Sequence, residues 1–88
     1  MKAKPGFVVR HVVDEYLLMP TGENIADFVG YVLLNSVSAF VWEKLQAPAS
    51  RDELLEAVLG RYAVDAETAA ADLDALLERF RQAGVIED

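Results

Sequence analysis

The 88-residue chain has no cysteine, one histidine and one tryptophan, and its eight Lys and Arg are outnumbered by fifteen Asp and Glu. Each shortage removes a class of function. Without cysteine there is neither a disulfide framework nor a thiolate metal site, a composition that suits a reducing cytoplasm. With His11 as the only imidazole, metal ligands would have to be carboxylates, and no segment has the pattern of a calcium loop. Neither a metal nor another cofactor is therefore expected. The formal charge of −7 repels phosphate backbones and anionic lipid, and the acids are spread along the chain with no acidic tail. Long apolar runs are scarce as well. The longest clean one, Phe28 to Leu34, is far short of the roughly 20 residues of a membrane helix. Arg10 and His11 interrupt the run that would have to form a signal segment. The expectation is a soluble, cytoplasmic protein with no membrane or nucleic-acid partner.

Catalytic constellations are equally thin. His11 lies in a strand-like stretch, where a solvent-facing or hydrogen-bonded role outweighs that of a general base. Thr21-Gly22 lacks the Lys-Ser/Thr of a phosphate loop, and no GxGxxG occurs. Asp72 and Asp74 are two apart on a helix, so they do not face each other. An enzyme is not expected.

What is present is apolar: 53% of residues are hydrophobic, among them four Phe and three Tyr. That is enough to offset the ordering entropy of one domain spanning residues 1–88. A domain of this size buries roughly two-thirds of its unfolded surface, which leaves no room for a deep cleft and directs attention to the surface. Lys2 to Gly6 reads as a lead-in. Phe7 to Val13 and Tyr16 to Met19 are rich in β-branched or large apolar residues and form a hairpin around Asp14-Glu15. Asp-Glu is not a favoured turn pair, which leaves room for a bulge. After Pro20 and a polar loop, a third strand is expected from about Ile25 to Leu34, with Gly30 inside it.

The backbone period then changes from two to 3.6. Asn35 or Ser36 caps a short helix in which Val37, Phe40, Val41, Trp42 and Leu45 cover most of the circumference, with Glu43 and Gln46 left for water. Trp42 reads as core. Ser50-Arg51-Asp52-Glu53 is a capping box for a second helix with Leu54, Leu55, Val58, Leu59 and Tyr62 on one face. Asp65 caps a third helix with the stripe Ala69, Leu73, Leu76, Leu77 and Phe80. Gly84 stops it, and Val85 and Ile86 fold back as an apolar contact. Three strands followed by three helices give an α+β fold, a small antiparallel sheet against a helical cluster.

Leu34-Asn35, Ala39, Val41-Trp42 and Leu45, then a Leu-rich capped helix, Tyr62-x-Val64-Asp65 and a long helix closing on Gly84-Val85-Ile86, resemble the PqqD family. The likeness runs from about Phe7 to Ile86, and Ser36 and Ser38 depart from it where the family more often has Glu and Gly. It implies a winged-helix-like domain without catalytic residues. Such a domain captures the leader of a ribosomally made precursor peptide and presents it to a radical SAM maturase. The leader would lie as an added strand between the third strand and the third helix; the peptide product, a quinone cofactor or another, stays open.

The residues themselves support that mode. A third strand at the edge of a small sheet offers unpaired amides and carbonyls to an extended peptide. The expected contacts are Val29, Gly30, Tyr31, Val32 and Leu33 on the strand, with Ala70, Leu73, Leu77 and Arg81 on the helix. An aliphatic leader residue would insert between the leucines, and Arg81 would meet an acidic one. For Leu73 and Leu77 a purely core role is an equal alternative, and which strand residues face the groove depends on register. Two other classes compete. A homodimer paired through the strand edge would occupy the same surface as a leader. A winged-helix DNA reader would need its third helix in the major groove, but that helix region holds Asp65, Glu67, Asp72, Asp74 and Glu78 against Arg79 and Arg81.

Overall fold

In a computed structural model, which describes residues 1–22 and 31–88, the elements follow in the order β1 (Lys2–Ala3), β2 (Phe7–Val12), β3 (Glu15–Pro20), β4 (Val32–Leu34), α1 (Ser36–Lys44), α2 (Arg51–Arg61), α3 (Ala66–Ala83) and β5 (Ile86–Glu87). β2, β3 and β4 form an antiparallel sheet in that order, and β1 pairs with β5 in a second, two-stranded one. The three-stranded sheet followed by three helices is the α+β arrangement expected.

Alternation decides which face of the sheet is buried. Phe7, Val9, Tyr16, Leu18, Val32 and Leu34 pack towards the helices, with Leu18 and Leu34 buried, while Val8 and Leu33 on the other face are exposed. The hairpin turn falls at Val13-Asp14, one residue before the expected Asp14-Glu15, and the register from Phe7↔Pro20 to Val12↔Glu15 runs without a bulge. A two-residue hairpin loop requires positive φ, and Val13 accepts φ 56 although β-branched residues disfavour it. The register that results stacks His11 on Tyr16, with ring centroids 4.4 Å apart. The expected third strand, from about Ile25 to Leu34, is seen as Val32–Leu34; Tyr31 falls just before it, and residues 25–30 lie outside the described residues.

The helix ends follow local side-chain chemistry. The Asn35 side chain accepts a hydrogen bond from the Ser38 N–H at the start of α1, Ser50 and Glu53 form the reciprocal capping box of α2, and the Asp65 side chain accepts from the Thr68 N–H to start α3. Gly84 ends α3 in the left-handed region at φ 72, where a Cβ would be strained. All five members of the α3 stripe are buried. Phe80 meets Trp42 edge to face at 5.6 Å, which locks α3 against α1.

Lys2 to Gly6 is more than a lead-in. Lys2 and Ala3 pair with Glu87 and Ile86, the Ala3 N–H donates to the Leu45 carbonyl at 2.8 Å, and the Lys4 N–H donates to the Val85 carbonyl at 2.9 Å. Val85 and Ile86 are thereby buried under the returning chain, the fold-back contact expected of them.

Among the described residues, three carboxyls sit below the usual range. Glu53 is held down by the Ser50 backbone amide, Asp65 by that of Thr68, and Asp74 by the Arg51 guanidinium, whose Nε reaches its Oδ1 at 2.6 Å. A carboxyl lowered by folding stabilises the native state above its unfolded pKa, and that contribution is lost as pH falls through the folded value. Thermal midpoints are therefore expected to be flat near neutrality and to drop below about pH 4. Asp65→Asn, which keeps the cap and removes the titration, should lose less on acidification than wild type. Equal acid losses would refute this assignment.

Candidate peptide-binding groove

The turn fixes which backbone groups of β4 are free. In a two-residue hairpin the residues flanking the loop, Val12 and Glu15, form a hydrogen-bonded pair, and pairs alternate along an antiparallel ladder. Arg10 and Leu17 are thus bonded to each other, so the amide and carbonyl of Leu17 point to β2. Leu33, opposite Leu17 on β4, turns its own N–H and C=O away from the sheet. A side-chain contact corroborates this: Arg79 Nη2 donates to the Leu33 carbonyl at 3.0 Å, which requires an outward oxygen. Among the described residues, β4 pairs with β3 alone.

Arg79 reaches that carbonyl because α3 runs beside the strand edge. Between α3 and the N-terminal half of α1 lies a cleft of about 380 Å³, its apolar walls including Val37, Val41, Leu73 and Leu76 and its charged lining residues being Asp72 and Arg79. Tyr62 and Val64, from the α2–α3 connection, border it. An extended chain added to β4 would have the outward Leu33 N–H and carbonyl on one side, the carbonyl once Arg79 releases it, and this cleft on the other, so it can form main-chain bonds and bury a side chain at once. Among the described residues no group of His, Asp and Glu could hold a metal ion.

The residues chosen from sequence divide as follows. Val29 and Gly30 lie outside the described residues. Tyr31 precedes β4 and is 59% exposed, Val32 turns inward, and Leu33 carries the outward edge groups. On α3, Leu73 and Leu77 are core, but Leu73 also lines the cleft while Leu77 does not, and Ala70 is half-buried beside them. Arg81 faces the C-terminus, 3.6 Å from Asp88 and 3.9 Å from Glu78. Two residues apart on a helix means roughly 200° of rotation, so Arg79 and Arg81 cannot share a face. Asp72, Leu76 and Arg79 were not singled out for the groove. Their i, i+4, i+7 spacing puts them on one face and was the available signal.

The family model for coenzyme PQQ synthesis protein D matches residues 15–86. The chain belongs to the PqqD family. That match spans β3 to β5 and so includes both walls of the groove. Two solved structures share this fold. TbiB1 in complex with the TbiA(beta) leader peptide is 25% identical, with a TM-score of 0.76 over 99% of this chain and 95% of that one. Lasso peptide synthetase B1 complexed with the leader peptide is 20% identical, with a TM-score of 0.72 over 99% and 96%, a likeness of fold. No curated protein sequence matches the chain.

Proposed function

We propose that this PqqD-family chain is a non-catalytic adaptor that binds the leader of a ribosomally synthesised precursor peptide as an added strand on β4 and presents it to a maturation enzyme. The observation that carries the reading is the outward amide and carbonyl of Leu33 beside a cleft walled by Leu73 and Leu76. The two structural neighbours, both named as leader-peptide complexes, support it. A radical SAM maturase is the partner the family resemblance implies. Leu33, the flanking Tyr31 and Val32, and Leu73 are the proposed contacts retained from the sequence, joined by Leu76 and Arg79. Ala70, Leu77 and Arg81 do not line the cleft, and Val29 and Gly30 lie outside the described residues.

Titrating isotopically labelled protein with the leader segment of a precursor encoded beside its gene should shift the Leu33 and Leu34 amides and those of α3 near Leu76. Binding with shifts confined to other elements would refute the groove. A homodimer paired through β4 would compete with leader capture for the same edge, and the solution mass of the titrated sample tells a dimer from a peptide-bound monomer.

A further inference from the structure

Resting on leader capture at β4, we infer that Arg79 gates this edge and selects peptides carrying a carboxylate beside it. The Leu33 carbonyl is the acceptor that an incoming strand needs, and the Arg79 guanidinium already occupies it at 3.0 Å. A strand added about 4.8 Å from β4 takes the space the guanidinium spans, so capture displaces it.

Once displaced, Arg79 has no partner on its own helix. The residues three and four positions away are Leu76, Ala75, Gln82 and Ala83, none of them charged. The contrast with its neighbours is direct: Arg51 is held by Asp74, and Arg81 by Asp88 and Glu78. In a chain of net charge −7, a cation with no carboxylate partner among the described residues, pointing at the strand edge, matches an acid supplied by the peptide. Asp72, the other charged lining residue, is seven positions earlier, about 10 Å along the helix axis. It repels an acid at the far end of the cleft and so fixes where along the peptide the acid must fall.

The test is selection of random dodecapeptides displayed on phage against immobilised wild type, Arg79→Ala and Arg79→Glu. Arg79 is exposed, so neither change opens a cavity. Wild type should enrich peptides sharing one Asp or Glu at an aligned position, Arg79→Glu should place Lys or Arg there, and Arg79→Ala should show no preference. A synthetic wild-type-selected peptide should bind Arg79→Ala about tenfold more weakly. The same peptide with its acid changed to the amide should bind Arg79→Ala more tightly than wild type, because the gate is gone; a simple charge attraction gives no such crossover. Selected peptides without an acidic position, or identical preferences in wild type and Arg79→Ala, would overturn this inference and leave leader capture standing. If wild type retains no peptide at all, leader capture fails and the gate with it.

Discussion

Leu33→Pro is expected to weaken leader binding more than tenfold while leaving the domain folded. The two consequences separate because the Leu33 N–H takes no part in the ladder to β3. Proline is tolerated on an edge strand when the missing donor faced solvent, and Val32 before it is already extended, as a residue preceding proline must be. An added strand, however, loses a main-chain donor and meets the pyrrolidine ring where its own carbonyl would lie. A peptide carbonyl left unsatisfied at a closed edge costs about 1–3 kcal/mol, and the ring's bulk adds to that. Calorimetric titration of wild type, Leu33→Ala and Leu33→Pro with one leader peptide checks it. Leu33→Ala keeps the N–H and should bind within a few-fold of wild type. Equal affinity for the proline variant would mean the peptide does not pair with β4.

Phe80→Ala is expected to have the largest effect on stability. The ring is fully buried at 0% exposure and packs edge to face on Trp42 at 5.6 Å. Truncating a buried Phe costs about 3–5 kcal/mol through lost transfer energy and the cavity left behind. A chain this size has about 4–13 kcal/mol of stability in all, so the thermal midpoint should fall by about 15 °C or more. Trp42 is the only tryptophan, and its emission should shift to the red as the loss of Phe80 lets water in. The loss is functional too, because Phe80 adjoins Arg79 and its packing sets the rotation of α3 that turns the guanidinium towards β4. A midpoint within a few degrees of wild type would contradict the packing described.

The parts of the fold legible in the sequence are those fixed by chemistry within a few residues. Asn35, Ser50 with Glu53, Asp65 and Gly84 each satisfy or end a helix terminus by contacts no more than five positions away, so they could be read without tertiary knowledge. Trp42 and the α3 stripe were legible because helical periodicity marks a buried face. The β1–β5 pair was not, since two-residue strands carry no period and their partners lie at opposite ends of the chain. The hairpin turn was misplaced by one residue because Val13 takes a conformation that its side chain disfavours; only the pairing of Glu15 with Val12 and the stacking of His11 on Tyr16 show why.

The groove was legible in kind and not in detail. The resemblance and the apolar third strand pointed to the strand edge and the last helix. On that helix, though, an apolar stripe identifies the face buried by the chain itself, and Leu77 went to the core with Phe80. The charged residues that border the cleft, Asp72 and Arg79, look in sequence like ordinary solvated surface, and Leu76 beside them reads only as part of the buried stripe. The choice between Arg79 and Arg81 needed the helix rotation, which the contact of the intervening Phe80 with Trp42 sets.

The most direct measurement is hydrogen exchange at the Leu33 amide, with and without saturating leader peptide, with the Leu34 amide as the internal reference. Leu34 is opposite Tyr16 in a bonded pair of the ladder, so its amide should be protected in both states. Leu33 should exchange quickly in the free protein and become protected when the peptide is bound. A saturated complex in which Leu33 still exchanges as fast as before would show that the peptide lies somewhere other than the β4 edge.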